Sequence, residues 1–174
     1  MSKSTITEKT EITRLPKRGV YDKDQINTIL DEASFCTLAY VRDTTTGPQA
    51  FQIPTGFCRI NDKLYVHGSV GSSYMRELAE KKVPVCISVT IMDGLVLARS
   101  AFHHSVNYRS VVIFSDAEKV TDENELYKAL EVFTDKMQPG RWTHVRKPCA
   151  TAIALAHAVC WRMEGDHVAF IPDQ

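Results

Sequence analysis

Residues 108–120 read Tyr-Arg-Ser-Val-Val-Ile-Phe-Ser-Asp-Ala-Glu-Lys-Val, and upstream residues 64–73 read Leu-Tyr-Val-His-Gly-Ser-Val-Gly-Ser-Ser. In the first stretch side chains alternate, so Arg109, Val111 and Ile113 share one side of a strand. An arginine in line with two β-branched residues must be paired or stand at a rim. A bend at Ser115-Asp116 is expected before a continuation over residues 117–120. The second stretch is a strand that runs into a Gly/Ser loop and then a helix. A guanidinium, hydroxyls and free backbone N–H groups are the parts that hold a phosphate.

The rest of the chain is read outward from these two. Asp22 caps a helix with Gln25 three residues on, and Ile26, Ile29, Leu30 and Ala33 form its apolar face. Residues 35–41 make a strand and 44–48 a turn. Residues 49–60 make a second strand, in which Pro54 demands an edge, a bulge or an unpaired stretch. Asn61-Asp62 turns the chain into the strand at 63–67. A helix over 73–82 follows the loop. Residues 83–92 and 95–102 read as two strands joined by a hairpin at Asp93-Gly94. Asp122 and Glu125 open a second capped helix with Leu126, Leu130, Phe133 and Met137 on one face, ended by Pro139-Gly140. In the last apolar segment, 153–163, Val159, Cys160 and Trp161 favour a strand at its end.

Six or seven short strands with two or three helices at the joins suit a small closed barrel with helical covers. Neither GxGxxG after a strand nor GxxxxGK[ST] occurs, which disfavours dinucleotide-fold and P-loop readings. The 174 residues suffice for one domain, here 14–174, preceded by a frayed tail over 1–13. Lys+Arg and Asp+Glu are equal at 21 each, so no basic excess favours nucleic acid or an anionic membrane. No run approaches a membrane span, and the polar start lacks the apolar stretch of a signal peptide, which makes the cytoplasm the expected location. The five cysteines, Cys36, Cys58, Cys86, Cys149 and Cys160, include no CxxC. They read as reduced, mostly buried thiols, not as a disulfide or zinc framework.

Three places in the chain have ligand chemistry. The His67-Gly68-Ser69 loop with Ser72 and Ser73 offers a flexible backbone and a helix N-terminus to an anion, although spacing alone favours a plain strand–turn–helix joint. Arg109 is either a rim charge or a ligand-facing cation. Trp142, beside Arg141 after the helix stop, covers an aromatic ring, fills an interface or sits half-buried in a surface loop; composition favours the last. His103-His104 point to opposite faces if they lie on a strand, so no metal site is expected. No paired carboxylates and no GxSxG are present.

Taken in order, Tyr65-Val-His-Gly-Ser69, Asp93-Gly-Leu-Val-Leu-Ala-Arg-Ser100 and Asn107-Tyr-Arg-Ser-Val111 resemble the FMN-binding split-barrel family related to pyridoxamine 5′-phosphate oxidase. The branch they resemble most contains the 5-nitroimidazole resistance proteins. The likeness runs over residues 14–161. It implies a mainly β fold, a six-stranded split β-barrel with two to three peripheral helices. It also implies a homodimer with FMN in a groove between protomers. Gln52, Ile53, Pro54 and Thr55 would run along the flavin ring. Val66 and His67 would lie beside the ring or ribityl chain, with Gly68, Ser69, Ser72 and Ser73 toward the phosphate. Arg109 and Ser110 would stand at the groove, and Trp142 would reach the cofactor of the other protomer. His67 is the implied catalytic residue.

The chain departs from the oxidases at the phosphate loop, where Ser72-Ser73-Tyr74 replaces Ser-Arg-Lys. Two cations are missing, which leaves Arg76 or Arg109 to compensate and implies weaker FMN binding. No second basic cluster exists for a substrate phosphate, so pyridoxamine phosphate oxidase activity is not expected. Two functions from different classes follow. One is an FMN-dependent oxidoreductase acting on a small electron-poor molecule, including nitroaromatics. The other is a flavin or haem carrier of the same fold, in which His67, His103 or His104 would meet the haem. A deazaflavin is a further alternative to FMN.

Overall fold

The computed structural model describes residues 3–68, 73, 78, 83–148, 159–163 and 165–170. Their strands are β1 (Gly19–Val20), β2 (Phe35–Thr44), β3 (Gly47–Ile60), β4 (Lys63–Gly68), β5 (Val83–Val96), β6 (Ser105–Lys119), β7 (Val159–Met163) and β8 (Gly165–Phe170). The two α-helices with described bounds are α1 (Lys23–Glu32) and α2 (Glu123–Met137). Among the described residues no helix is long and apolar enough to cross a membrane.

The sheet runs β1-β8-β6-β5-β2-β3-β4-β7, and β6 also pairs with β7 through Glu118↔Arg162 and Lys119↔Trp161. Pairings therefore pass round six strands, β6-β5-β2-β3-β4-β7 and back, with β8 and β1 added beside β6. This is the mainly β split barrel that the sequence implied. The split shows in β3. Its residues 47–56 pair with β2, but its ladder with β4 covers only Phe57↔Val66 to Ile60↔Lys63. Pro54, opposite Thr37 of β2, falls in the stretch that has left β4. There a missing N–H costs no ladder bond on the open side, which is why the strand passes through the proline without a break.

Two expected breaks are absent. Asp93-Gly94 is not a hairpin turn, because β5 runs on to Val96 and the register with β6 merely slips between Met92 and Gly94. A type I′ turn needs positive φ at both central residues; neither Asp93 nor Gly94 has it, whereas Gly47 at φ 111° does. The chain instead reverses through residues 97–104, which include a 3₁₀ turn at Ala101–His103. The bend expected at Ser115-Asp116 is likewise absent, since both residues stay in register with β5 through Val85 and Pro84. Two strands, β1 and β8, have no counterpart in the sequence reading.

Alternation sorts the side chains. Leu38, Phe57, Leu64, Val66, Ile87, Val89, Val111 and Ile113 point inward and are fully buried. Ile26, Ile29, Leu30 and Ala33 of α1 close that core, and Asp22 caps the helix by accepting from Gln25 N at 3.1 Å. A second cluster joins Cys58 and Tyr65, on the outer face of β3 and β4, to Leu126, Ala129, Leu130 and Phe133 of α2. Asp122 caps α2 by accepting from Glu125 N at 2.7 Å. Met137, expected on the buried face, is exposed. Lys136 ties the two helices together, donating to Leu30 O at 2.8 Å while its Nζ lies 3.7 Å from the Phe57 ring centre.

Within the N-terminal stretch expected to be frayed, Lys3, Ser4, Thr10 and Ile12 contact Tyr21 or Asp22. Lys3 bridges Asp22, Thr10 is buried, and the Tyr21 hydroxyl donates to Thr10 O at 2.8 Å. The sequence offered no periodicity here because the contacts are single polar links to Tyr21.

The barrel interior sets the stability of this arrangement. Ile87→Ala deletes a fully buried branched side chain from the barrel wall. It should cost about 2–5 kcal/mol, read as a lower urea midpoint with an unchanged slope. A loss too small to resolve would show that the barrel interior is not the core.

Candidate functional site at the barrel split

The β3–β4 ladder ends at Phe57↔Val66, so the next residues in register, Gly56 and His67, stand where the strands part. On its other edge β4 is paired with β7, His67 opposite Cys160. Alternation puts Gly56, Cys58, Tyr65 and His67 on the face covered by α2. Phe133 occupies the gap. Its ring meets His67 edge-on, with centroids 4.3 Å apart and planes at 74°. A Cβ added at Gly56 would stand 2.9 Å from the same ring, so only glycine lets the aromatic reach the backbone here. Tyr65 is anchored alongside by donating to Glu125 Oε1 at 2.7 Å, and Cys58 Sγ donates to Ala129 O at 3.4 Å.

His67 is half-buried and its Nδ1 wholly so, without a hydrogen-bond partner among the described residues. Burial pushes its pKa below the usual histidine value, favouring the uncharged ring. Burial likewise lifts the Cys36 and Cys58 thiols to about 12, so both are neutral and poor nucleophiles. Cys86 is also a free thiol with a raised pKa. Cys149 lies outside the described residues.

Arg109 is at the rim and paired. It continues the inward line of Val111 and Ile113 beyond the buried core. Its Nη1 and Nη2 donate to Glu32 Oε2 and Oε1 at 2.7 and 2.9 Å, a bidentate pair with the last residue of α1. Its Nε and Nη2 donate to Asp93 of the β5 bulge at 2.7–3.1 Å. Every guanidinium nitrogen therefore has a carboxylate, and the group is not free to receive a phosphate in this arrangement. The hydrogen bonds and charge of Arg109 hold both the Glu32 and the Asp93 carboxyls below their ordinary pKa values. Sequence reading missed both partners. The signals were Asp93, two residues past the Ile91↔Arg109 register pair, and an acid ending a capped helix.

The other candidate residues divide. Gln52 and Pro54 are exposed on the open stretch of β3, and Ile53 turns inward against the core while Thr55 is half-buried. Val66 is buried inside the barrel, Gly68 ends β4, and Ser110 is buried in β6. Ser73 is exposed and helical; Ser69 and Ser72 lie outside the described residues. Trp142 is not on a surface loop but buried in the 3₁₀ turn Arg141–His144. Its ring meets Tyr127 edge-on at 5.2 Å, its backbone N–H donates to Asp135 Oδ1 at 2.7 Å, and Lys147 lies over its ring. His103 and His104 are exposed, and no cluster of metal-ligating side chains occurs among the described residues.

The carboxylate clamp on Arg109 has a pH signature. A carboxyl whose folded-state pKa is depressed adds stability above its unfolded pKa and loses it as pH falls through the folded one. Arg109→Ala should therefore lower stability at neutral pH. The gap to wild type should shrink on acidification below about 4.5, the ordinary value for the Glu32 carboxyl. Urea titrations over a pH series read this directly, and a gap that stays constant into the acid range would show that the clamp carries no stability.

Comparison with known proteins places this geometry. The sequence profile of the pyridoxamine 5′-phosphate oxidase family matches residues 22–169. No curated protein matches the sequence. Among solved structures, the FAD and haem binding protein from Mycobacterium smegmatis is 31% identical with a TM-score of 0.78, over 90% of this chain and 74% of that one. The flavocytochrome Anf3 from Azotobacter vinelandii is 27% identical with a TM-score of 0.82, over 97% and 75%. A proposed 5-nitroimidazole antibiotic resistance protein from Bacteroides thetaiotaomicron shares the fold at 20% identity and a TM-score of 0.66, over 87% and 86%. With residues 22–169 matched by its family profile, this chain belongs to the pyridoxamine 5′-phosphate oxidase family.

Proposed function

We propose that the protein is a flavin-binding oxidoreductase that reduces a small, uncharged, electron-poor substrate, nitroaromatic compounds being the class named by the sequence likeness. The observation that carries this reading is the barrel split, where the one-sided stretch of β3 with exposed Gln52 and Pro54 lies beside the half-buried ring of His67. A flavin is planar and largely apolar with a polar edge. An open strand and a single imidazole suit it, and the flavin supplies the electrons. FMN is the flavin implied by the order of the sequence motifs. FAD is the one named for the Mycobacterium smegmatis relative. His67 would touch the flavin or substrate, with Ser110 and the loop ending at Ser73 around the cofactor. Arg109 would act on the site through its hold on α1 and the β5 bulge.

A second reading, a flavin and haem carrier, draws on that same relative and on the Azotobacter flavocytochrome, which are both more similar in sequence than the nitroimidazole-related structure.

The spectrum of freshly purified protein separates the readings. Flavin bands with a released cofactor of FMN or FAD mass support the first, and a Soret band supports the second. Anaerobically reduced protein should be re-oxidised by a nitroimidazole, whereas with pyridoxamine 5′-phosphate and oxygen it should yield no pyridoxal phosphate. Efficient pyridoxal phosphate formation, or a bound flavin that no electron acceptor re-oxidises, would sink the oxidoreductase reading.

We also propose that a second copy of the chain completes the groove. Met92, Leu95, Leu97, Phe102 and Val106 are exposed on the far end of the β5–β6 ribbon, an apolar group that a lone protomer would leave in water. Light scattering should give about twice the 19.6 kDa chain mass. A monomer that retains its cofactor would rule out the shared groove.

A further inference from the structure

The contact between Phe133 and His67 joins two elements far apart in sequence at the one position where the barrel opens. Three observations meet there. The Phe133 ring is edge-on to the imidazole at 4.3 Å and fills the space that Gly56 leaves by having no side chain. Nδ1 of His67 is buried and unpartnered among the described residues. The titratable groups of the surrounding wall, Cys58 and Tyr65, donate their hydrogens elsewhere, to Ala129 O and Glu125 Oε1.

A neutral imidazole carries one N–H. A buried N–H without an acceptor is the rarer and costlier defect, while a buried bare lone pair is tolerated more often. The proton therefore belongs on Nε2, the nitrogen on the open side of a half-buried ring. We propose that Phe133 is a positioning residue that holds His67 in the Nε2–H tautomer, so that the site presents one neutral hydrogen-bond donor at the barrel split. Such a donor fits an uncharged acceptor oxygen or nitrogen, that of a nitro group, a quinone or a flavin ring. It offers no charge to a carboxylate or phosphate. The inference rests on the assignment of His67 to the proposed site, and it turns that histidine from a candidate acid or base into an orienting donor.

The test uses protein freed of any cofactor, labelled with nitrogen-15. Long-range proton–nitrogen correlation spectra report the tautomer of each imidazole, with His67 identified by its loss in His67→Gln. In wild type the His67 signals should be those of the Nε2–H form throughout the neutral range. In Phe133→Leu the ring should be freed to turn and meet water. Its signals should shift toward a tautomer mixture, and it should protonate at higher pH. Leu126→Ala, a buried truncation on the same helix away from His67, controls for simple loosening of α2 and should leave the His67 signals in place. An Nδ1–H form or an imidazolium in wild type at neutral pH would overturn the proposal, and so would Phe133→Leu signals identical to wild type. The wild-type spectrum decides the tautomer even if the Phe133 variant does not fold. A protein that gives the expected spectra yet binds no flavin would sink the proposed function and leave this inference standing.

Discussion

Everything in this molecule depends on two strands that each serve both halves of the barrel. β3 gives residues 47–56 to β2 and 57–60 to β4, and β6 pairs with β5 and β8 before its end reaches β7. Buried backbone groups must be bonded, so strands can part only where something else covers or wets them. The parting of β3 from β4 is such a place, and Phe133 of α2 covers it. α1 closes the interior at one side of the sheet, and α2 lies over the outer face of the β3–β4 hairpin.

The polar groups around that opening are settled in different ways. Arg109 is satisfied internally. Two carboxylates from a helix end and a strand bulge lock its fork, which ties α1 to β5 and β6 and leaves little positive charge at the rim. Surface ion pairs are individually weak, but a bidentate pair shared with a second carboxylate has the geometry and the network character that raise their worth. The buried thiols are satisfied by being neutral. His67 is the exception, a ring with one nitrogen buried and without a hydrogen-bond partner among the described residues.

Family membership and function are separate conclusions here. The family profile and the relatives fix the barrel, but folds of this kind carry several chemistries. What distinguishes this chain is local. It has Ser72-Ser73-Tyr74 in its sequence, an arginine already committed to its own carboxylates, and an imidazole pressed against an aromatic ring. On the proposed reading, the phosphate of a bound flavin would rely on backbone N–H groups and hydroxyls more than on Arg109.

The parts of this protein that the sequence determined are those with short-range causes. The caps at Asp22 and Asp122, the apolar faces of α1 and α2 and the Asn61-Asp62 turn are each written within a few neighbouring residues, and the structure reproduces them except at Met137. Pro54 announced an edge, a bulge or an unpaired stretch because a missing N–H is a property of one residue. Parts with two possible local readings were settled by distant strands. Asp93-Gly94 suits a turn or a bulge equally well, and it became a bulge because β6 continues alongside and Arg109 draws in Asp93. Ser115-Asp116 stayed extended because β5 pairs with it throughout. Trp142 found Tyr127 and Lys147 only once α2 and the turn after it were in place. The site itself was half legible. His67 could be singled out from its motif, but Phe133 and Gly56 are 66 and 11 residues from it in number and become its neighbours only when β3, β4 and α2 pack. Periodicity records which face of an element is apolar. Which distant ring will press on which face is decided by the packing of whole elements, so only the tertiary structure could show it.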